Sequence, residues 1–397
     1  MRSLLIGEYW PCGEIDCLGG CGVCGDMGGV CGACGGVGHV AEPHNCVHTC
    51  LELFAGCGGA ALGIEAAGVR HLGLVEKDPA ACRTMRAAGL SPVIEADVRD
   101  LAAIAQHVIA PIDLVWSSWP CQPFSKGGLK RGALDERNGW PWTMAALEEI
   151  RPTYFVGENV RGILSHLKRG CGNPDTCPGC YTERQIFPDL RKLFQFVDVW
   201  LLDAADFGLP QRRRRVFFVG SDKHLTPPTP THSKTGGMFA QKWVSMARAL
   251  GFDDSKVAIG GGTNPKKGSP EKRTYRILSD EPSTTISAKS IPAENQGPWI
   301  MPADLLGPSL SVNATEYKGY TGRGNRASDS LKKLDRNRWR LTVEECAILQ
   351  GFPKDYPFQG GLHDRYRQVG NAVPPELARV VVEAVTNGGK PATIERR

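Results

Sequence analysis

From residue 48 onward the chain alternates short apolar runs with amphipathic stretches. TCLELF, HLGLVE, SPVIEAD, IDLVWSS, YFVGEN and RRVFFVG are six or seven residues long, the length and content expected of buried strands. Between them GGAALGIEAAG, DPAACRTMRAAG and WPWTMAALEEIRP carry helical spacing and end in Gly or Pro, which predicts helices that stop there. Strands alternating with helices predict an α/β fold with a mainly parallel, doubly wound sheet. After Gly220 the pattern breaks. Residues 221–340 are rich in Pro, Gly, Ser and Thr, yet they hold apolar islands such as WVSMARALGF and PWIMPADLLGPSL, so a smaller, irregular second domain is expected there.

Composition sets limits on this picture. With 397 residues, 41% hydrophobic and 22% charged, the chain can bury a core and divide into two or three domains. No run approaches the roughly 20 apolar residues of a membrane span, and MRSLLIGEYW has too short an apolar stretch for a secretion signal. A soluble, cytoplasmic protein with no membrane partner is expected. The net charge is only +5, but residues 221–340 hold 19 Lys and Arg against 11 Asp and Glu, a local +8 beside −3 for the remainder. That segment is the expected contact for an anionic partner.

Five strand ends and one strand start carry candidate chemistry. The turn Ala55-Gly56-Cys57-Gly58-Gly59 follows LELF and opens a helix; such a turn lets backbone N–H groups approach a carboxylate or phosphate, or is simply a tight strand-to-helix turn. Glu76, 20 residues after Gly56, is placed for ribose hydroxyls, and Asp97 for an adenine amino group. Pro120-Cys121-Gln122 follows IDLVWSSW, where a cysteine is either an inert core residue or a thiolate nucleophile at the ligand-binding edge. Gly157-Glu158-Asn159-Val160 closes another strand, where a desolvated carboxyl can stay protonated and donate to a ring nitrogen. In QRRRRVFFVG, starting at Gln211, alternate arginines share one face; the choices are catalysis, phosphate contact or a solvated basic face.

In order along the chain, FAGCGG, VEKD, EADV, PCQPFS, GENV, QRRRR, LTVEECAILQGFP and RYRQVGNAVPP resemble the DNA cytosine-5 methyltransferase family. The resemblance runs from Thr49 to Val382 apart from the segment before Leu341. It implies S-adenosylmethionine as cofactor and double-stranded DNA as partner. Cys121 is then the nucleophile that adds to carbon 6 of cytosine, Glu158 the partner of its amino group and ring nitrogen 3, and Arg215, with Arg213 beside it, the contact to its carbonyl oxygen. The resemblance puts Phe54, Gly56, Gly58, Gly59, Glu76, Asp97, Val98, Pro120, Asn371 and Val373 around the cofactor, and Gln122, Ser125 and Gln211 at the DNA. Lys77 departs from the aromatic residue that many relatives carry after the ribose-binding acid, which removes one stacking face for adenine. The target base, buried in the duplex, must be rotated out of the stack.

The implied organisation is a Cys/Gly-rich segment over 1–47, a catalytic domain over 48–220, a target-recognition domain over 221–360 and a C-terminal return over 361–397. A monomer in a prokaryotic or phage-infected cell, paired with a restriction endonuclease, fits this reading. The alternatives are a tRNA cytosine-5 methyltransferase, whose Cys-Phe-Thr signature is absent here, and an inactive zinc-containing DNA-binding protein.

Two cysteine clusters lie outside the shared motifs. Cys21, Cys24, Cys31 and Cys34 form two paired knuckles with the spacing of a tetrahedral thiolate zinc site; the other reading is a flexible Gly-rich leader. His166, Cys171, Cys177 and Cys180 interrupt the chain after GENV, either as a structural zinc site of the Cys3His type or as an insertion loop with free thiols. With 15 cysteines and no secretion signal, metal ligation and thiol chemistry are expected rather than disulfides.

Overall fold

The computed structural model describes residues 48–108, 111–120, 135–166, 171–175, 177–251, 256–260, 276–277, 281–286, 299–302 and 339–387. Its centre is a seven-stranded sheet of β1 (Thr49–Leu53), β2 (Arg70–Glu76), β3 (Val93–Glu95), β4 (Leu114–Ser117), β5 (Tyr154–Val160), β6 (Phe196–Asp203) and β7 (Arg214–Ser221). The spatial order is β3-β2-β1-β4-β5-β7-β6. All neighbouring pairs are parallel except those made by β7, which runs antiparallel to both β5 and β6. Chain order reverses between β1 and β4, and open α/β sheets bind ligands in the crevice outside the carboxyl ends at such a switch point.

Strict alternation of side chains builds a core on each face. Cys50, Trp116, Val156 and Phe217 point to one layer, packed under α1 (Gly59–Ala66) and the C-terminal helix Pro375–Thr386. Leu51, Val115, Phe155 and Phe218 point to the other, under α3 (Leu101–Ala105) and α4 (Trp140–Ile150). Between β2 and β3 runs α2 (Pro79–Ala87), with Pro79 at its first position and the Asp78 side chain accepting from Ala80 N, an arrangement that satisfies an otherwise orphaned donor.

Sequence patterning missed β6. Its run FVDVWLLD lies at the sheet edge, with Val199 and Leu201 exposed and aspartates at 198 and 203, so it lacks the continuous apolar character of a central strand. Among the described residues no helix is long and apolar enough to cross a membrane.

Beyond β7 come short β8 (His232–Ser233), β9 (Gln241–Lys242) and α7 (Met246–Leu250), followed by β10 (Lys256–Gly260), β11 (Arg276–Ile277), β12 (Trp299–Pro302) and β13 (Trp339–Arg340). The last four form an antiparallel sheet in the order β11-β10-β12-β13. The chain then returns through α8 (Val343–Gln350), α9 (Leu362–Asn371) and α10 (Pro375–Thr386). Thr342 and Glu345 cap α8 reciprocally, side chain to backbone, at 3.1 and 2.7 Å, the capping box that the Thr-x-x-Glu spacing encodes.

Helix α10 lies directly against α1, and glycine makes that approach possible. A Cβ on Gly63 would collide with the Pro375 carbonyl oxygen and lie 2.7 Å from Arg379 N. These are backbone atoms that no rotamer can move. Gly63→Leu would add about 1 kcal/mol of helix propensity but overpack the contact at a cost of about 1–3 kcal/mol. A lower urea midpoint is expected, and an unchanged midpoint would show that the two helices are not in this contact.

Candidate active site

At the end of β1 the backbone turns sharply. Phe54, Gly56 and Gly58 have φ of 58, 58 and 86°, a region that favours glycine and strains a bulky residue by about 1–3 kcal/mol. Gly58 N donates to Ala55 O at 3.1 Å and Ala55 N to Val75 O at 3.0 Å, which fixes the turn against β2. The glycines do different work. A Cβ on Gly56 would meet nothing within 4 Å, so this backbone faces open space. One on Gly58 would strike Leu90, Tyr356 and Met85, and one on Gly59 would strike the Val373 carbonyl. Those two glycines are required by contacts within the protein.

Glu76 closes β2 beside this turn. Its Oε2 accepts from Gly56 N at 2.8 Å, and its Oε1 accepts from Lys77 N at 2.9 Å and Asp78 N at 2.8 Å. A carboxylate has about four acceptor sites, so capacity for a ligand hydroxyl remains. Burial raises its pKa against the pull of those N–H groups. Asp97 lies two residues beyond β3 and is held by Arg99 at 2.7 Å and Lys77 at 3.2 Å; Arg99 above all keeps its pKa below the ordinary carboxylate range. Lys77 thus stands on the rim as Asp97's partner. Val98 and Val373 are buried, and Asn371 is exposed at the end of α9. Open backbone at Gly56, an acid with spare acceptor capacity and a charged rim fit the hydroxyl, amino and ammonium groups of S-adenosylmethionine.

The ends of β4 and β5 are tied to each other. Asn159 Nδ2 donates to Trp119 O at 3.2 Å, tying β5 to the segment leading to Pro120. Phe54, Gly139 and Pro120 meet so closely that a Cβ on Gly139 would lie 2.7 Å from the Phe54 ring and 3.1 Å from Pro120. Cys121, Gln122 and Ser125 lie outside the described residues, as do Cys21, Cys24, Cys31 and Cys34. Glu158 is only 8% exposed and pairs with Arg215, Nε to Oε1 at 2.8 Å. Burial raises its pKa, opposed by Arg215 and then Arg213.

The arginine run divides by alternation. Arg212 and Arg214 bind Asp203 at 2.7 and 3.2 Å, whereas Arg213 and Arg215 turn to the other side. Two expectations need correction. Arg213, grouped with the catalytic residues, is 1% exposed and donates to the carbonyls of Ile286, Gly370 and Ala372 at 2.8, 3.1 and 2.7 Å. Gln211, expected at the DNA, is fully buried; it donates to Leu349 O at 3.2 Å and Gln350 Oε1 at 2.6 Å and accepts from Ile286 N at 3.0 Å. Both are interior clamps, because alternation fixes the face of a side chain but not what packs on that face. Sequence reasoning also missed Tyr356, whose hydroxyl donates to Cys57 O at 2.6 Å and pins the glycine turn. It missed Asn159 as well, although GENV contains it.

A family profile described as C-5 cytosine-specific DNA methylase matches residues 48–387. The chain belongs to this family. The methylase is 32% identical over 340 residues to the type II methyltransferase M.NgoMIV of Neisseria gonorrhoeae, covering 84% of this chain and 95% of that protein. It is 29% identical over 352 residues to the type II methyltransferase M.AplI of Arthrospira platensis, covering 84% of each. Its fold is shared with a DNMT2 mutant of Spodoptera frugiperda, with a TM-score of 0.56 at 16% identity over 85% of this chain and 99% of that one.

The buried position of Gln211 in the methylase yields a test. Gln211→Ala would leave three buried polar groups short of a partner, each worth about 1–3 kcal/mol. Stability should fall in chemical denaturation, while DNA affinity of the folded enzyme and its salt dependence stay as in the wild type. A lower salt slope with unchanged stability would return Gln211 to the DNA surface.

Proposed function

We propose that this S-adenosylmethionine-dependent methylase acts on carbon 5 of cytosine at a specific DNA sequence through a covalent Cys121 adduct on a flipped base. The observation that carries the reading is Glu158, buried at the end of β5 and paired with Arg215 at 2.8 Å, next to the strand end that leads to Cys121. Carbon 5 of cytosine is a weak nucleophile. Addition of the Cys121 thiolate to carbon 6 moves the ring electrons toward carbon 5 and ring nitrogen 3. Glu158, with its pKa raised by burial, donates a proton to nitrogen 3 as that charge develops. Arg215 holds the Glu158 carboxyl and faces the carbonyl edge of the base. The cofactor, when bound, supplies an electrophilic methyl group. Once carbon 5 is methylated, its proton leaves to water, the thiolate departs and nitrogen 3 returns its proton to Glu158, which restores the aromatic ring and the starting acid.

For the cofactor we assign Gly56 backbone and Phe54 to the crevice, Glu76 to ribose, and Asp97 with Val98 to adenine. Asn371, Val373 and Pro120 complete its walls. Lys77 leaves one adenine face without an aromatic partner. Gln122 and Ser125 are assigned to DNA, and the basic segment 221–340 to phosphates and base edges. We place the catalytic domain over 48–220, target recognition over 221–360 and the return over 361–397. Leu341, Cys346, Phe352, Val369 and Cys57 share one core, so these limits are boundaries in sequence rather than in packing. Similarity to bacterial proteins named type II methyltransferases supports a restriction-modification role with a restriction endonuclease partner; we further assign action as a monomer in a prokaryotic or phage-infected cell. The family match favours DNA over tRNA, and the Glu158–Arg215 pair favours an active enzyme over an inactive binder.

Cys121→Ser should abolish methyl transfer while cofactor affinity stays near normal; turnover close to wild type would refute the covalent route. Glu158→Gln should lower kcat by roughly 10²- to 10⁴-fold. The pH dependence has a definite sign. Glu158 is competent when protonated, so kcat should fall as pH rises through its raised pKa, and the Gln variant, which does not titrate, should lose that limb of the profile. Replacing residues 221–340 by the matching segment of a relative should change the methylated sequence, read by methylation-sensitive sequencing, but not the atom methylated.

A further inference from the structure

Between β5 and β6 the chain makes a 3-10 turn (Arg161–Leu164), then α5 (Pro178–Tyr181), a π-helical turn (Thr182–Ile186) and α6 (Phe187–Arg191). One ligand atom from each of His166, Cys171, Cys177 and Cys180 converges here, all within 4.8 Å of one another. Cys171 Sγ lies 3.6 Å from Cys180 Sγ. His166 Nδ1 lies 3.4, 4.0 and 3.6 Å from the sulfurs of Cys171, Cys177 and Cys180. Zinc bonds of about 2.3 Å to sulfur and 2.0–2.1 Å to nitrogen, arranged tetrahedrally, require edges of about 3.8 Å between sulfurs and 3.6 Å from sulfur to nitrogen. The cluster is close to those edges and far from a disulfide, whose sulfurs lie about 2.05 Å apart.

The surroundings are those of a metal ligand set. His166 Nε2 lies 3.0 Å from Glu183 Oε1, so Nε2–H donates to the carboxylate and the Nδ1 lone pair is left to the sulfurs, the partnership that orients zinc-bound histidines. Gly172 N donates to Cys180 Sγ at 3.1 Å, which stabilises thiolate charge. Gly179 admits the imidazole, since a Cβ there would lie 2.8–2.9 Å from three ring atoms. Three soft sulfurs and one imidazole select zinc over the oxygen-preferring cations.

We propose that His166, Cys171, Cys177 and Cys180 hold a structural zinc ion, and that this ion braces the chain after Glu158 against the stretch that re-enters the fold after Cys121. The connections are direct. His166 stands two residues beyond the 3-10 turn that follows β5, and Thr182 Oγ1 donates to Ile163 O in that turn at 2.9 Å. Tyr181, next to Cys180, accepts from Asn138 Nδ2 at 2.9 Å. Trp140 Nε1 donates to Asp189 Oδ2 at 3.1 Å. α5, the π-helical turn and α6 run on without a break from Pro178 to Arg191, so the ion would tie the N-terminal end of this helical run to the turn that follows β5.

The test uses full-length enzyme purified without chelator. Elemental analysis should find one zinc per chain fewer in Cys177→Ser/Cys180→Ser than in wild type, whatever the N-terminal cysteines bind. Equal zinc content overturns the site. If that variant does not fold, the deciding protein is one with Cys21, Cys24, Cys31 and Cys34 changed to Ser and loaded with cobalt(II). Tetrahedral spectra with thiolate charge-transfer bands support the site; their absence overturns it. Glu183→Gln should keep the ion but bind it roughly 10- to 100-fold more weakly, read by competition with a chromogenic chelator. For the brace, zinc removal should speed amide exchange over 135–140 and 161–191 while β1 and α1 stay protected. Unchanged exchange in those segments overturns the brace.

Discussion

A buried guanidinium constrains the whole molecule. Arg213 presents five donors and no acceptor, and taking its charge out of water costs several kcal/mol unless those donors are used. The acceptors printed on its two terminal nitrogens belong to two distant stretches: Ile286 in the segment after β7, and Gly370 with Ala372 in the C-terminal return. Gln211 and Gln350 extend the same network, with Gln350 Nε2 donating to Ala372 O at 2.7 Å. Ser283 exchanges backbone bonds with the stem, donating to Pro210 O and accepting from Arg212 N, both at 2.8 Å. Anchored this way, the return places Val373 against Gly59 and Tyr356 on Cys57, so the glycine turn keeps its shape.

Three acids at strand ends show how environment sets role. Glu76 is held by three backbone N–H groups, Asp97 by two cations, and Glu158 by one arginine inside a dry site. Cations stabilise the charged form of Asp97, while burial favours the neutral form of Glu158. The buried acid without backbone donors is the one suited to carry a proton, and it stands on the strand that pairs with β4.

The insertion after β5 adds a different kind of support. The core residues Ile163, Tyr181, Ile186 and Leu190 bury it against the sheet. Packing fixes one side, and the Cys and His side chains converge on the other.

Much of this was legible before the fold was known, because local physics writes it locally. The period of two in TCLEL, LVWS and YFVGENV sends residues to opposite faces, and Asp78-Pro79 and Thr-x-x-Glu mark helix starts whatever surrounds them. The strand ends bearing Glu76, Glu158 and Pro120 followed directly. Strand β6 was hidden because an edge strand exposes Val199 and Leu201 to water. Whether Gln211 and Arg213 face DNA or the interior depends on residues 286, 350 and 370–372, more than 70 positions away, and the division of labour between Gly56, which is open, and Gly58 and Gly59, which are filled, depends on Met85, Leu90, Tyr356 and Val373. The spacing of His166, Cys171, Cys177 and Cys180 left ligand set and loop equally open; folding brings their atoms within 4.8 Å. Sequence determined the periodic elements and the residue types at their ends. Only tertiary structure decided which of those residues share a space, since burial and hydrogen-bond partners are set by chain segments that the local pattern does not contain.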